Sequence, residues 1–333
     1  MTHEMARALL AWYERNKRDL PWRDKPSAYH TWVSEIMLQQ TRAEAVRGYY
    51  ARFLTALPTV KDLAEADDDR LLKLWEGLGY YTRASNLKRA AQVIMNEHGG
   101  VLPASPEALL KLPGIGLYTA GAIASIAYGV PIPAVDGNVL RVCARLAADP
   151  ADITLDQTKR NVSARLLRVL PQDRPGDFNQ AMMELGACVC LPNGSPNCAV
   201  CPLADDCLAH AQNRTADFPV KSPKKPRKIE NHHLLILRWG DKLALRRRPP
   251  KGLLAGLWEL PEAFDLPEEL ILSRKPAGQA VHIFTHIEWH MAAERVTLRS
   301  PLPDENLVWV TQEQLERDYA LPSAFAGFRG EMF

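Results

Sequence analysis

The sequence predicts a two-part protein, mainly α over its first two-thirds and α+β over the last third. Three observations lead there. From residue 2 to about 212, apolar residues recur at three and four, broken at short intervals by turn signals, which is the period of packed helices. A stretch rich in proline and lysine, "DFPVKSPKKPRKIEN" (217–231), then reads as a linker. Beyond it, alternating and β-branched runs replace the helical period. With 333 residues, 47% of them hydrophobic, the chain can fill two cores.

The N-terminal "MTHEMARALLAWYERNKRDL" alternates charge with apolar residues at helical spacing and lacks the unbroken apolar core of a signal peptide. No apolar run approaches the ~20 residues of a membrane span. A cytoplasmic protein with no membrane partner is expected. Thr41-Arg42-Ala43-Glu44 reads as a capping box, so one helix should end near Gln40 and another begin at Thr41, leaving "LQQT" at an exposed junction. "MNEHGG" (95–100) ends a helix on two glycines. Ser105-Pro106-Glu107 starts another, with proline at its first position. Past the linker, "HHLLILRW" and "KLALRRR" flank Gly240-Asp241 as a hairpin. "AVHIFTHIEWHMAAERVTL" and "LVWV" continue the strand pattern, and Thr311-Gln312-Glu313-Gln314 caps a short helix.

Net charge is only +2, which neither demands nor excludes nucleic acid, since a local basic patch would suffice. The stretch "LPGIGLYTAG" (112–121) sets two glycines between two helical runs. Such a turn lets backbone approach a ligand closely, and the unpaired N–H groups opening the next helix can donate to phosphate. Read alone, it is equally an ordinary helical corner. The small residues from Thr119 to Ala127 allow two helices to pack closely.

Five of the six cysteines fall between 188 and 207. Cys190, Cys198, Cys201 and Cys207 lie within eighteen residues with only one short Cys-x2-Cys knuckle. Zinc sites usually pair two knuckles, so a four-thiolate iron–sulfur cluster fits better. Cys143 and Cys188 read as buried bystanders. Two carboxylates also stand out. Glu35 sits among Val33, Ile36, Met37 and Leu38, where burial would keep it protonated. Asp136 opens a helix in "PAVDGNVLRV", where the helix N-terminus would keep it ionised. Environments that push two carboxyl pKa values apart assign an acid and a charge stabiliser. Taken singly, each has an ordinary alternative: a solvent-facing helix residue and an N-cap.

A helix–hairpin–helix, then "VDGNV", then a four-cysteine loop resembles the endonuclease III superfamily of DNA glycosylases. Within it, "LPWR" (20–23), "VSEIMLQQT" (33–41), "WEGLGYYTRA" (75–84), "AVDGNVLRV" (134–142) and "NQAMMELGA" (179–187) are similar to the MutY-type adenine glycosylases. "GLLAGLWELP" (252–261) and "HIFTHIEWH" (282–290) resemble that family's recognition domain. The resemblance implies a helix–hairpin–helix glycosylase domain over 1–216, a linker over 217–231 and a Nudix-like 8-oxoguanine recognition domain over 232–333. It implies removal of adenine opposite 8-oxoguanine or guanine from double-stranded DNA by base flipping, in a monomeric enzyme of the bacterial cytoplasm acting at the nucleoid.

By the same resemblance, Glu35 is the acid that protonates adenine N7, and Asp136 stabilises the oxocarbenium-like sugar. Tyr118 and Asn138 assist. Arg18, Trp22, Arg23, Leu38 and Glu184 line the adenine pocket. Gln40, Thr41, Leu78 and Tyr80 enter the duplex around 8-oxoguanine, and Phe284, Thr285 and His286 form the loop that reads it. Gly114 and Gly116 grip the DNA backbone, and one [4Fe-4S] cluster sits on Cys190, Cys198, Cys201 and Cys207. Bifunctional superfamily members carry a lysine at the position of Tyr118. Tyrosine cannot form their Schiff base, so base removal without efficient strand cleavage is implied. The chain departs from the family in having seven rather than six residues after the first cluster cysteine, and Thr285 where serine is frequent. It also lacks the glutamate-rich helix of diphosphate-cleaving Nudix enzymes, and Glu268 and Glu269 read as solvated. The rival readings are an endonuclease III-like glycosylase and lyase on oxidised pyrimidines, and a non-enzymatic DNA-binding module with a structural metal.

Overall fold

The computed structural model describes residues 1–24, 27–223 and 226–333. Of the expected linker, Lys224 and Lys225 therefore lie outside the described residues. The chain divides into two compact units, one of Met1–Ala64 with Arg89–Pro223, the other of Glu65–Lys88 with Lys224–Phe333. The segment Glu65–Lys88, helical in pattern, thus belongs with the C-terminal strands.

The helices run α1 (His3–Asn16), α2 (Ala28–Leu38), α3 (Ala43–Ala56), α4 (Val60–Glu65), α5 (Asp68–Trp75), α6 (Thr82–Glu97), α7 (Pro106–Leu109), α8 (Leu117–Tyr128), α9 (Gly137–Ala147), α10 (Asp156–Leu167), α11 (Pro175–Cys188) and α12 (Leu208–Ala211). Ser105 caps α7 by accepting from the Ala108 N–H, as its sequence demands. Helix α6 ends with Gly99 and Gly100 in the left-handed region, and the Gly100 N–H bonds back to the Ile94 carbonyl. The expected box at Thr41 does not form. Gln40 takes a left-handed φ of 59°, Thr41 stays in the turn and α3 starts one residue later behind Arg42 without a side-chain cap. Glu44 pairs with Arg47 instead.

In the first unit, α11 packs on α1, α8 and α9, and α2 packs on α8. Leu9, Phe178, Ala181 and Met182 meet Val139 and Val142 in one buried cluster. Each large apolar side chain so buried stabilises the fold by roughly 1.5–3 kcal/mol. The small-residue stripe of α8 lets α11 pack closely, as expected: a Cβ on Gly176 would lie 2.8 Å from Ile126 Cα and from the Ser125 carbonyl oxygen. A Cβ on Gly121 would meet the Pro133 carbonyl oxygen at 2.5 Å, so α8 lies directly against the segment leading to Asp136.

The second unit is built on a sheet of order β3-β2-β1-β5-β4, with β6 paired to β2. The strands are β1 (Lys228–Trp239), β2 (Lys242–Arg247), β3 (Trp258–Glu259), β4 (Ile271–Ile283), β5 (Ile287–Leu298) and β6 (Leu307–Thr311). Strands β1 and β5 run parallel, and β1–β2 and β4–β5 are antiparallel hairpins. Helix α13 (Gln312–Asp318) carries the Thr311–Gln314 capping box, and α14 (Arg329–Met332) ends the chain. One sheet face buries Trp289, Met291, Leu321, Phe325 and Phe328; the other buries Leu235, Leu237, Ala244 and Val296. After a single 3-10 turn at Glu268–Leu270, the chain enters β4, so no helix exists there to array metal-binding glutamates.

Candidate active site

Glu35 lies on α2, whose apolar sequence turns it inward to 5% exposure. The Tyr118 hydroxyl, from the first turn of α8, donates to Glu35 Oε2 and lies 3.4 Å from the Met183 sulfur. Burial raises the Glu35 carboxyl to about 7. The Tyr118 bond and the Arg23 charge pull it down, and the Asp136 charge pushes it up. Such a group holds a proton near neutrality and can give it away.

Asp136 is the N-cap of α9. Its Oδ1 accepts from the Val139 N–H at 2.8 Å, and its Oδ2 accepts from Asn138 Nδ2 at 2.7 Å. The sequence predicts that the helix N-terminus keeps Asp136 ionised; burial raises its carboxyl, and the Val139 and Asn138 hydrogen bonds pull it down. Burial thus raises both carboxyls, and the two differ in their hydrogen-bond donors. Asp136 accepts from the fixed donors of its own helix, whereas Glu35 has one tyrosine hydroxyl.

Glu184 forms a second anionic centre. It accepts from Arg18 N, Nε and Nη2 at 2.9, 2.7 and 2.9 Å and from Arg23 Nη2 at 2.8 Å. Burial would raise its carboxyl, but the two arginines outweigh it and hold Glu184 at about 2. This fixed ion pair orients Arg23, whose Nε is buried without a partner among the described residues. Trp22 is buried edge-to-face on Tyr50 and Leu38 is half-buried. Gln40 is exposed on the following turn beside the half-buried Thr41.

The hairpin between α7 and α8 turns at Gly114, with φ of 76°. Gly116 caps α8 in extended backbone with no side-chain acceptor, so the N–H groups opening that helix carry no side-chain partner. Cys190, Cys198, Cys201 and Cys207 line one cavity with Val142, Leu185 and Leu203. Among the described residues, no group of three or more His, Cys, Asp or Glu stands as a site for a single metal ion. Four thiols around a shared void suit a cluster that spreads its ligands over its corners. Neither Cys143 nor Cys188 is on that lining; Cys143 is half-buried, but Cys188, expected to be buried, is exposed at the end of α11.

Three residues around this site were not singled out in the sequence. Arg141 and Arg145, one helical turn apart on α9, are buried and hydrogen-bonded. Arg141 donates to Asn138 Oδ1 (2.8 Å) and to the carbonyls of Gly186 (2.7 Å) and Cys190 (2.8 Å). Arg145 reaches Cys190 Sγ at 3.2 Å and the Leu191 carbonyl at 2.9 Å. Asn179 accepts from the Ala134 N–H and donates to Ser125 Oγ and the Ile132 carbonyl, fixing the approach to Asp136. Paired arginines at i and i+4 in "VLRVCARLA" were the available signal for the first two.

In the second unit, Tyr80 and Thr285 come together, hydroxyl to hydroxyl at 3.0 Å. Thr285 and His286 are exposed in the three-residue turn between β4 and β5, which the Phe284 N–H closes onto the Ile287 carbonyl at 2.9 Å. Phe284 is seated against the Trp289 ring. Tyr80 is 47% exposed, whereas Leu78 is buried.

Residues 33–172 match the family of HhH-GPD superfamily base excision DNA repair proteins, and residues 232–328 match the NUDIX domain. A solved thermostable thymine-DNA glycosylase superposes with a TM-score of 0.57 at 27% identity, covering 63% of this chain and 96% of its own. Fold and site together define a helix–hairpin–helix DNA glycosylase carrying a NUDIX-type domain. The adenine DNA glycosylase of Arabidopsis thaliana is 39% identical, across 90% of this chain and 58% of its own length. That of Homo sapiens is 34% identical, across 97% of this chain and 74% of its own. The chain belongs to the adenine DNA glycosylases. Among the described residues, no helix is long and apolar enough to cross a membrane.

Proposed function

We propose that this chain removes adenine paired opposite 8-oxoguanine, or guanine, from duplex DNA without cutting the strand. The carrying observation is the buried Glu35 carboxyl, raised to about 7 and bonded to Tyr118. Adenine flipped from the stack enters the pocket formed with Arg18, Trp22, Arg23, Leu38 and Glu184. Glu35 gives its proton to adenine N7, making the base a leaving group. Asp136, held by the Val139 N–H and Asn138, stabilises the positive charge that develops on the sugar, and water completes the hydrolysis. Tyr118 replaces the lysine that a lyase needs, and Lys111 is exposed before the turn rather than beside Glu35. That favours simple hydrolysis over the lyase alternative.

The uncapped N-terminus of α8 supports a backbone grip at Gly114 and Gly116 that is blind to base sequence. Cys190, Cys198, Cys201 and Cys207 would hold one [4Fe-4S] cluster, which when bound cross-links the 190–207 loop. In the first unit, Gln40 and Thr41 are duplex-entering residues; in the second, Leu78 and Tyr80 are, and Phe284, Thr285 and His286 form the reading loop. Gln40 and Tyr80 both hold left-handed backbone, a strain concentrated at functional turns. The glycosylase domain (1–216), linker (217–231) and recognition domain (232–333) stay the sequence-level division, with 65–88 serving the second unit. A monomer in the bacterial cytoplasm, working on nucleoid DNA, completes the reading. The test is base release from duplexes carrying adenine opposite 8-oxoguanine, adenine opposite guanine, and oxidised pyrimidines. Release from the pyrimidine duplex alone would overturn the proposal.

A further inference from the structure

Tyr80 meets Thr285 only if two turns from distant parts of the chain share one frame. Helix α5 is tied to the C-terminal strands at its start by Asp69, which accepts from Arg247 (3.1 Å) and Trp258 (3.2 Å), and at its end, next to the 77–80 turn, by Glu76. Its Oε1 accepts from the Leu321 N–H at 3.0 Å. Its Oε2 accepts from Lys73 Nζ at 2.6 Å, and the same ammonium donates to the carbonyls of Leu315 (3.0 Å) and Tyr319 (3.1 Å), where α13 ends. Both side chains are mostly shielded, at 18% and 21% exposure, so solvent screens the pair weakly. A cation at helix-terminal carbonyls is also favourably placed for the helix dipole.

Leu321 belongs to the cluster that contains Phe325 and Trp289, on which Phe284 packs. The turn holding Thr285 and the tether from Glu76 are therefore seated on the same core. Directly after Glu76 the chain passes through Gly77 (φ 96°), Gly79 (φ 69°) and Tyr80 (φ 47°). A left-handed tyrosine is strained, and such a conformation persists only where its surroundings over-determine it.

We propose that Glu76, with Lys73, is a positioning residue for opposite-base discrimination: the tether to Leu321 holds the 77–80 turn so that Tyr80 meets Thr285. This rests on reading Tyr80 and Thr285 as opposite-base contacts. Glu76 touches no substrate and acts through Tyr80.

The test uses the full chain with Glu76→Ala, Glu76→Gln, Lys73→Met and Tyr80→Phe. Two quantities are read: amide hydrogen exchange at 77–81 and at Leu321 without DNA, and the ratio of single-turnover adenine excision opposite 8-oxoguanine to that opposite guanine. Glu76→Ala should speed exchange at both places and lower the ratio about three- to tenfold, the range of one net hydrogen bond. Excision opposite guanine should change little. Glu76→Gln keeps an acceptor for Leu321 and should retain most of the ratio, and Lys73→Met should lose part of it. Adding Tyr80→Phe to Glu76→Ala should lower the ratio little further, since the two act in series. Unchanged exchange, equal loss on both duplexes, or additive effects would overturn the inference. Faster exchange with the ratio unmoved in Glu76→Ala and Tyr80→Phe alike would instead overturn the opposite-base reading and leave the tether supported.

Discussion

The Tyr118 hydroxyl donates to the Glu35 carboxyl, and the direction of that bond sets how the pair titrates. A donor favours the ionised carboxylate, so Tyr118 opposes the burial that raises Glu35 to about 7. The acid works protonated, so kcat/KM for adenine excision should fall as pH rises through about 7. Tyr118→Phe removes the opposing bond and should move that limb to higher pH, even where the maximal rate drops. A limb unmoved by the substitution would separate Tyr118 from the titrating group.

The same shift is a stability statement. Glu35 binds its proton more tightly folded (about 7) than at its ordinary 4.5. Its contribution is fully present below the ordinary value and is lost as pH rises through the folded one. Glu35→Gln should therefore flatten the fall in stability between about pH 5 and about pH 8. Urea midpoints across that window check it, and parallel wild-type and variant curves would count against a proton on Glu35.

Gly186 on α11 bears on Asp136 through packing. A Cβ there would lie 2.6 Å from Asn138 Cβ, and Asn138 donates to Asp136. Gly186→Ala should destabilise the fold by roughly 1–3 kcal/mol, as overpacking does. It should also slow excision beyond what the thermal midpoint explains, because it displaces a donor to the charge-stabilising carboxylate. Wild-type rates at a lowered midpoint would confine Gly186 to packing.

Thr285 offers a hydroxyl that can accept from the N7–H that 8-oxoguanine has and guanine lacks. Thr285→Ala should lower the preference for 8-oxoguanine about three- to tenfold and leave excision opposite guanine nearly intact. Competing duplexes in one reaction read this ratio directly.

The cysteine loop gives a prediction independent of activity. Purified protein should be yellow-brown and hold about four iron atoms per chain. Cys198→Ser should lose iron and loosen the 190–207 loop. Anaerobically prepared protein holding zinc and no iron would overturn the cluster.

Much of this was legible in the sequence because it is local. Ser105, the glycines at 99 and 100, the hairpin at Gly240-Asp241 and the Thr311 box are set by neighbours within four residues, and all formed. Glu35 was visible as a carboxylate among apolar neighbours, and Asp136 as one that opens a helix. The Thr41 box failed because capping propensity yields to a turn that puts Gln40 in left-handed backbone. Arg141 and Arg145 were not legible, since only tertiary packing supplies the carbonyls that satisfy them. The grouping of 65–88 with the C-terminal strands was invisible for the same reason. Lys73 and Glu76 form an i,i+3 pair common on any solvated helix, and its bonds to Leu315, Tyr319 and Leu321, the last 245 residues away, distinguish it.

The most direct measurement is single-turnover reaction of wild type and Glu35→Gln on a duplex with adenine opposite 8-oxoguanine, analysed with and without alkali. Wild type should release adenine and leave an abasic strand that breaks only after alkali. Glu35→Gln should bind the duplex normally and release adenine ~10²–10⁴-fold more slowly. Strand breakage that keeps pace with base loss before alkali, or a Glu35→Gln rate near wild type, would contradict an acid-catalysed glycosylase built on Glu35 and Asp136.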